Sequence, residues 1–134
     1  MEDTLVIVKP DAVARGMVGE IISRFEAAGF EIVRLRFESP DASLIRRFYA
    51  EHQDRPHFDR LVKYMTSGPS CFAQLRRDEA VEQARRLVGA TDPTCAAPGT
   101  IRGDVGLDLP RNSVHASDCL DAAAREIGLI FDGA

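Results

Sequence analysis

The 134-residue sequence has three cysteines, no CxxC pair, and no apolar run approaching the length of a membrane span. Cys71, Cys95 and Cys119 are odd in number and far apart, which argues against a disulfide framework or a paired-thiolate zinc site. A spanning helix needs about 20 apolar residues, so none is expected. The N-terminus also lacks the charged, apolar and small-residue order of a signal sequence, and the expected compartment is cytoplasmic. Positive charge is short as well: 17 basic residues stand against 21 acidic ones, for a net charge of -4. With no basic excess to displace counterions, nucleic acid is not expected as the main partner. Only two of the 17 basic residues are lysine, leaving 15 arginines. Overall composition explains that bias, although arginine does suit bidentate phosphate contacts.

What is present fits one soluble domain over residues 1–134, with 45% hydrophobic and 28% charged residues. Leu5 to Val8 reads as a buried strand stopped by Lys9-Pro10. Ile21, Ile22, Phe25 and Ala28 recur at helical spacing, with Gly29 as a stop. Val33, Leu35 and Phe37 alternate with Arg34 and Arg36, which predicts a half-buried strand with its apolar face inward. A helix starting at Ser39-Pro40-Asp41 puts Leu44, Ile45, Phe48 and Tyr49 on one face. A second carries Phe58, Leu61, Val62 and Met65. Residues 70–75 read as a strand, and residues 79–88 as a helix ended by Gly89. A last helix is expected from about Ser117 to Phe131, with Leu120, Ala124 and Ile127 as its stripe and Ser117 or Asp118 as its cap. The order fits an α/β, ferredoxin-like split βαβ sandwich, a four-stranded antiparallel sheet with helices packed on one face.

Between Gly89 and Ser113 no period is convincing, and connections of this length tend to be functional or disordered. The segment contains Thr91, Arg102 and Asn112 and delivers the chain to His115. Neither a GxxxxGK[ST] loop nor a GxGxxG after a strand is present, so nucleotide handling would need another route. Imidazole can serve as nucleophile, general base or metal ligand. By spacing alone, however, His115 reads as a surface histidine beside a helix cap. His52 and His57, five apart, do not have the HExxH spacing of a zinc site. Arg85, Thr91 and Arg102 are donors suited to phosphate oxygens. Lys9, at the end of an apolar strand, calls for a carboxylate or a ligand as partner.

The blocks VKPDAVARGMVGEIISRFEAAGF, HFDRLVKYMTSGP, GATDP, APGTIRGD and NSVHASD together resemble the nucleoside diphosphate kinases, in order and over essentially the whole chain. The resemblance implies transfer of the γ-phosphate of a nucleoside triphosphate, typically ATP, to a nucleoside diphosphate. The transfer would be ping-pong, with broad base specificity and Mg²⁺, in a homo-oligomer (tetramer or hexamer). It implies His115 as the nucleophile, Glu126 as the group fixing its tautomer, and Tyr49 beside the imidazole. Lys9 and Asn112 would contact the sugar and its phosphate oxygens. Arg85, Thr91 and Arg102 would hold the phosphates, with Arg55 a further candidate. Asp118 would reach Mg²⁺ through water. Three positions depart from or qualify the pattern. His57 stands where the base-stacking residue is usually Phe, with Leu109 and Leu61 as the other walls. Ala116 follows the histidine where many members have Gly. Cys119, at a helix N-terminus, is expected to be sensitive to oxidation. A nucleotide-binding regulatory protein that has lost turnover is the competing expectation.

Overall fold

The computed structural model describes residues 1–106 and 113–133. Strands β1 (Glu2–Val8), β2 (Glu31–Glu38), β3 (Ser70–Arg77) and β4 (Val114–Ala116) form one sheet in the order β2-β3-β1-β4. Every neighbouring pair is antiparallel. Helices α1 (Pro10–Ala14) and α2 (Val18–Ala27) connect β1 to β2. Helices α3 (Ala42–Phe48) and α4 (Phe58–Met65) connect β2 to β3. After β3 come α5 (Ala80–Val88) and α6 (Ile101–Val105), and α7 (Leu120–Phe131) follows β4. This is the expected ferredoxin-like sandwich, with one correction: the helices cover both faces of the sheet.

The reason lies in β1. Leu5, Val6, Ile7 and Val8 are all fully buried, and successive side chains of a strand point to opposite faces. Leu5 and Ile7 pack with Ile45, Phe48, Val62, Met65 and Ile130 from α3, α4 and α7. Val6 and Val8 pack with Ile21, Phe25, Ala84, Val88 and Ile101 from α2, α5 and α6. Burying each such side chain is worth about 1.5–3 kcal/mol, so an unbroken apolar run is stable only if both faces are covered.

The edge strand β2 departs from expectation more sharply. Its alternation is real, but the arginine side faces the protein. Arg34 lies over the Phe131 ring at 4.8 Å and pairs with Asp132 at 2.9 Å, and Arg36 donates to the Ile130 carbonyl. Leu35 and Phe37 are 52% and 59% exposed. Alternation identifies two faces without saying which one the helices cover. The start of α7 also differs. Cys119 occupies its N-cap position without a side-chain cap, and Leu120 and Ala124, expected in the apolar stripe, are exposed. The segment after Gly89, in which no period was expected, holds a 3₁₀ turn at Pro93–Cys95 as well as α6.

Candidate active site

His115 is the middle residue of β4, paired with Ile7 of β1, and does not lie in a loop. Three residues are too few to show a period, which is why the sequence did not reveal this strand. Its entry is held by side chains: the Arg15 guanidinium donates to the Val105 carbonyl at 2.6 Å and to Ser113 Oγ at 2.8 Å. Ser113 donates in turn to Asp11 at 2.8 Å, and the Tyr64 hydroxyl donates to the same carboxylate. Burial, then Asp11 itself, pushes the Tyr64 phenol well above its usual pKa. These contacts hold Ser113 in the left-handed region at φ 74, a conformation costing a non-glycine residue about 1–2 kcal/mol.

Nearly two turns into α7, Glu126 folds back under the imidazole. His115 Nε2 lies 2.8 Å from Glu126 Oε1, and the Ser117 hydroxyl donates to the same oxygen at 2.8 Å. Ser117 also accepts from the Leu5 amide at 3.2 Å. It therefore tethers the carboxylate to β1 and does not cap α7. A carboxylate can only accept, so in the neutral ring Nε2 carries the proton and Nδ1 keeps its lone pair. Phe48 and Tyr49 meet the imidazole edge-on, with ring centroids 5.3 and 6.4 Å away, and limit its rotation.

His115 lines a cleft of about 520 Å³, within the size range of small-molecule sites. Lys9, Arg85, Thr91, Arg102 and Asp118 stand at the same cleft. Lys9 is buried directly after β1, and burial, with the Arg102 charge second, pulls its pKa down to about 7. Arg102 is buried on α6 and donates to the carbonyls of Val114 at 2.8 Å and Gly89 at 3.2 Å. Burial and then Arg85 lower it to about 10, so it stays charged at neutral pH. Gly89 ends α5 at φ +92, where a Cβ would meet Thr100 Oγ1 at 2.6 Å. Only glycine turns the chain there and carries it to Thr91. Arg85 pairs with Asp118 at 2.5 Å, and both side chains are exposed. An exposed pair of this kind is worth about 0–1 kcal/mol, so an incoming anion can displace it.

The other end of the cleft is aromatic. From His115 the ring centroids run to Tyr49 at 6.4 Å, from Tyr49 to His52 at 6.3 Å, and from His52 to His57 at 6.5 Å. Arg60 and Leu61 line this end as well. The Tyr49 hydroxyl is buried and has no hydrogen-bond partner among the described residues. Burial, then Glu126, pushes its pKa well above the usual range, so it stays a neutral donor.

The structure thus gathers His115, Glu126, Tyr49, Lys9, His57, Arg85, Thr91 and Arg102 around one cleft. Arg55 is exposed and does not line it. Asn112 and Leu109 lie outside the described residues. The tethering role of Ser117, the Phe48 wall, and the presence of His52 and Arg60 at the cleft escaped the sequence reading. For Arg60 a signal existed: with His57 and Leu61 it falls at i, i+3 and i+4 on a helix start.

The family model for nucleoside diphosphate kinase matches residues 2–134. A nucleoside diphosphate kinase from Natronomonas pharaonis is 52% identical over 132 residues, 98% of this chain and 86% of the relative. One from Synechococcus elongatus is 47% identical over 134 residues, 100% of this chain and 90% of the relative. Among solved structures, a halophilic nucleoside diphosphate kinase from Halobacterium salinarum in complex with CDP aligns with a TM-score of 0.95 at 49% identity. That alignment covers 98% of this chain and 88% of the other. Similarity of sequence and fold therefore extends over the strand that carries the histidine, the helix that carries its carboxylate and the segments that bring the cations, and the chain belongs to the nucleoside diphosphate kinase family.

Proposed function

We propose that the phosphoryl group passes through His115 Nδ1 in a two-step exchange. In the first step the Nδ1 lone pair attacks the γ-phosphorus of a nucleoside triphosphate. The bond to the bridging oxygen breaks, and the diphosphate leaves with the electron pair. In the second step a β-phosphate oxygen of another diphosphate attacks the phosphohistidine and restores the imidazole. Such transfer needs alignment and charge stabilisation more than covalent help. Lys9, Arg85, Thr91 and Arg102 are the groups to hold the phosphates, and Tyr49 offers a neutral hydroxyl beside the imidazole. The observation that carries this reading is the Nε2–Glu126 contact of 2.8 Å, which leaves Nδ1 as the nucleophilic atom in a cleft bordered by cations. Glu126 also offsets the positive charge that grows on the ring as the N–P bond forms.

Mg²⁺ fits this site as a passenger on the nucleotide. The Asp118 carboxylate is an exposed hard oxygen donor at the cleft, suited to an ion that keeps several waters. The ion would neutralise phosphate charge. Asp118 would reach it through water once its pair with Arg85 opens.

The test is two-step labelling. The protein is incubated with γ-labelled ATP and Mg²⁺, cleared of free nucleotide, and divided between buffer and GDP or CDP. Acid-labile, alkali-stable label that leaves as GTP or CTP is the expected result. ATP binding without label would favour the regulatory reading, with His57 as the first suspect.

Lys9 gives this reading a pH signature. Its pKa of about 7 means that it is half-protonated near neutrality, whereas a bound polyphosphate favours the charged form. Nucleotide binding is therefore expected to take up a proton above pH 7 and to weaken by up to about tenfold per pH unit. Calorimetry at pH 8 in two buffers of different ionisation enthalpy measures the uptake, and Lys9→Met should remove it. Equal heats in both buffers would rule Lys9 out as the source.

We also propose a homo-oligomer, a tetramer or hexamer, built on the open edge of the sheet. β2 is an edge strand whose Leu35 and Phe37 are more than half exposed, and unpaired apolar edges of this kind invite pairing with another chain. Phe37→Asp is expected to shift the protein to a smaller species in size exclusion with light scattering. An unchanged mass would place the contact elsewhere. Cys71, Cys95 and Cys119 are all free thiols, which suits a cytoplasmic setting. Among the described residues, no helix is long and apolar enough to cross a membrane.

A further inference from the structure

The aromatic end of the cleft carries a donor that stacking alone does not need. His57 precedes α4, and Arg60 and Leu61 follow at i+3 and i+4, so all three share one face of its first turn. All three line the cleft. Arg60 makes no ion pair or side-chain hydrogen bond with any described residue. Two carboxylates of this region face other groups. Asp59 pairs with Arg46 at 3.6 Å, and Glu51, the carboxylate at that end, faces His52 Nε2 at 3.6 Å. Arg46 itself lies over the Phe58 ring at 5.7 Å. A guanidinium with uncommitted donors thus borders the end of the cleft farthest along the ring series from His115.

On this basis we propose that Arg60 reads the base and tilts the enzyme towards guanine nucleotides, an inference that rests on the nucleotide lying with its phosphates at His115 and its base at α4. Stacking on His57 is indifferent to base identity, because every base has a π face. Hydrogen-bond donors are not indifferent. Guanine presents two acceptors side by side, O6 and N7, and the guanidinium fork matches both. Adenine offers N7 but sets an amino donor beside it, and cytosine presents an amino donor where guanine has O6. Arg60 is exposed, so water competes for its donors and the discrimination should be smaller than in a closed groove. A preference of about three- to tenfold for GDP over ADP is expected, within an otherwise broad specificity.

The test compares GDP and ADP on the full-length protein in two ways: equilibrium binding by calorimetry, and kcat/KM as acceptors from the phosphorylated enzyme. Three proteins are needed: wild type, Arg60→Ala and Arg60→Lys. Wild type should favour GDP, Arg60→Ala should bring the ratio close to one, and Arg60→Lys should recover little, because it restores charge without the fork. Because Arg60 is exposed and its side chain is unbonded, the variants should fold normally, as thermal melting can confirm. An unchanged ratio in Arg60→Ala would overturn the proposal. So would an equal loss for both nucleotides, which would make Arg60 a general attractor of phosphate. Binding reports even without turnover. Guanine preference without phosphohistidine would sink the kinase mechanism and keep this inference, whereas a phosphoenzyme that discharges equally to both would do the reverse.

Discussion

Replacing His115 with alanine is expected to lower turnover by at least about 10⁴-fold while nucleotide binding stays within a few-fold of wild type. The asymmetry follows from how the cleft divides its labour. The proposed phosphate holders, Lys9, Arg85, Thr91 and Arg102, come from the end of β1, from α5, from the loop after Gly89 and from α6. None of them depends on the imidazole for its position. Arg102 is anchored on the carbonyls of Gly89 and Val114, which the substitution leaves in place. Glu126 keeps the Ser117 hydroxyl as a donor, so its carboxylate is not left wholly unpaired. The fold should therefore survive with a modest loss of stability, and what disappears is the atom that forms the bond to phosphorus. Labelling with γ-labelled ATP, in parallel with equilibrium binding of ADP, separates the two effects. Stable label on the alanine variant would place the nucleophile elsewhere.

The sequence made much of the scaffold legible, because its signals there are local. Leu5 to Val8 reads as a buried strand, and the α2 and α5 stripes with their terminal glycines survive in the structure nearly unchanged. The errors occur where a residue's fate depends on distant partners. Leu35 and Phe37 have the right alternation for a buried face, yet α7 covers the arginine side, and nothing within β2 encodes that choice. Leu120 has the right spacing, but as the first residue of its helix it points past the core. Ser117 sits where a cap belongs and instead binds the Leu5 amide, 112 residues away, and Glu126. The site shows the same division. Lys9, Tyr49, Arg85, Arg102 and His115 are scattered over more than a hundred positions, and no spacing rule joins them. Family resemblance supplied the convergence that periodicity could not, and it favoured a reactive His115 when local spacing favoured a surface residue. Arg60 lies inside the block that begins at His57, yet the resemblance assigned it no role, and its place at the cleft emerges from the fold.

Substitution at Glu126 should separate positioning from binding. Glu126 is buried, accepts from both His115 Nε2 and Ser117 Oγ, and keeps Oε2 4.0 Å from the Arg125 guanidinium. In Glu126→Ala the imidazole loses the partner that fixes its tautomer, and water can reach Nε2. The ring then samples the form with its proton on Nδ1, which has no lone pair to offer. A fall in kcat of about 10²–10⁴-fold is expected, in the range seen where a buried carboxylate orients a catalytic histidine. KM should change by less than about threefold, since the carboxylate is not among the proposed phosphate contacts. Glu126→Gln is the more informative variant. Its amide oxygen can still accept from Nε2 and Ser117, but the NH₂ group is then turned towards Arg125, donor against donor. The alternative rotamer donates to Nε2 and forces the proton onto Nδ1. The glutamine variant should therefore fall between wild type and alanine in kcat. The Nδ1-protonated tautomer should be detectable in it by the ¹⁵N shifts of the His115 ring. A glutamine variant with wild-type kcat would show that the negative charge contributes nothing. A loss confined to KM in either variant would move Glu126 from orienting the nucleophile to shaping the nucleotide site.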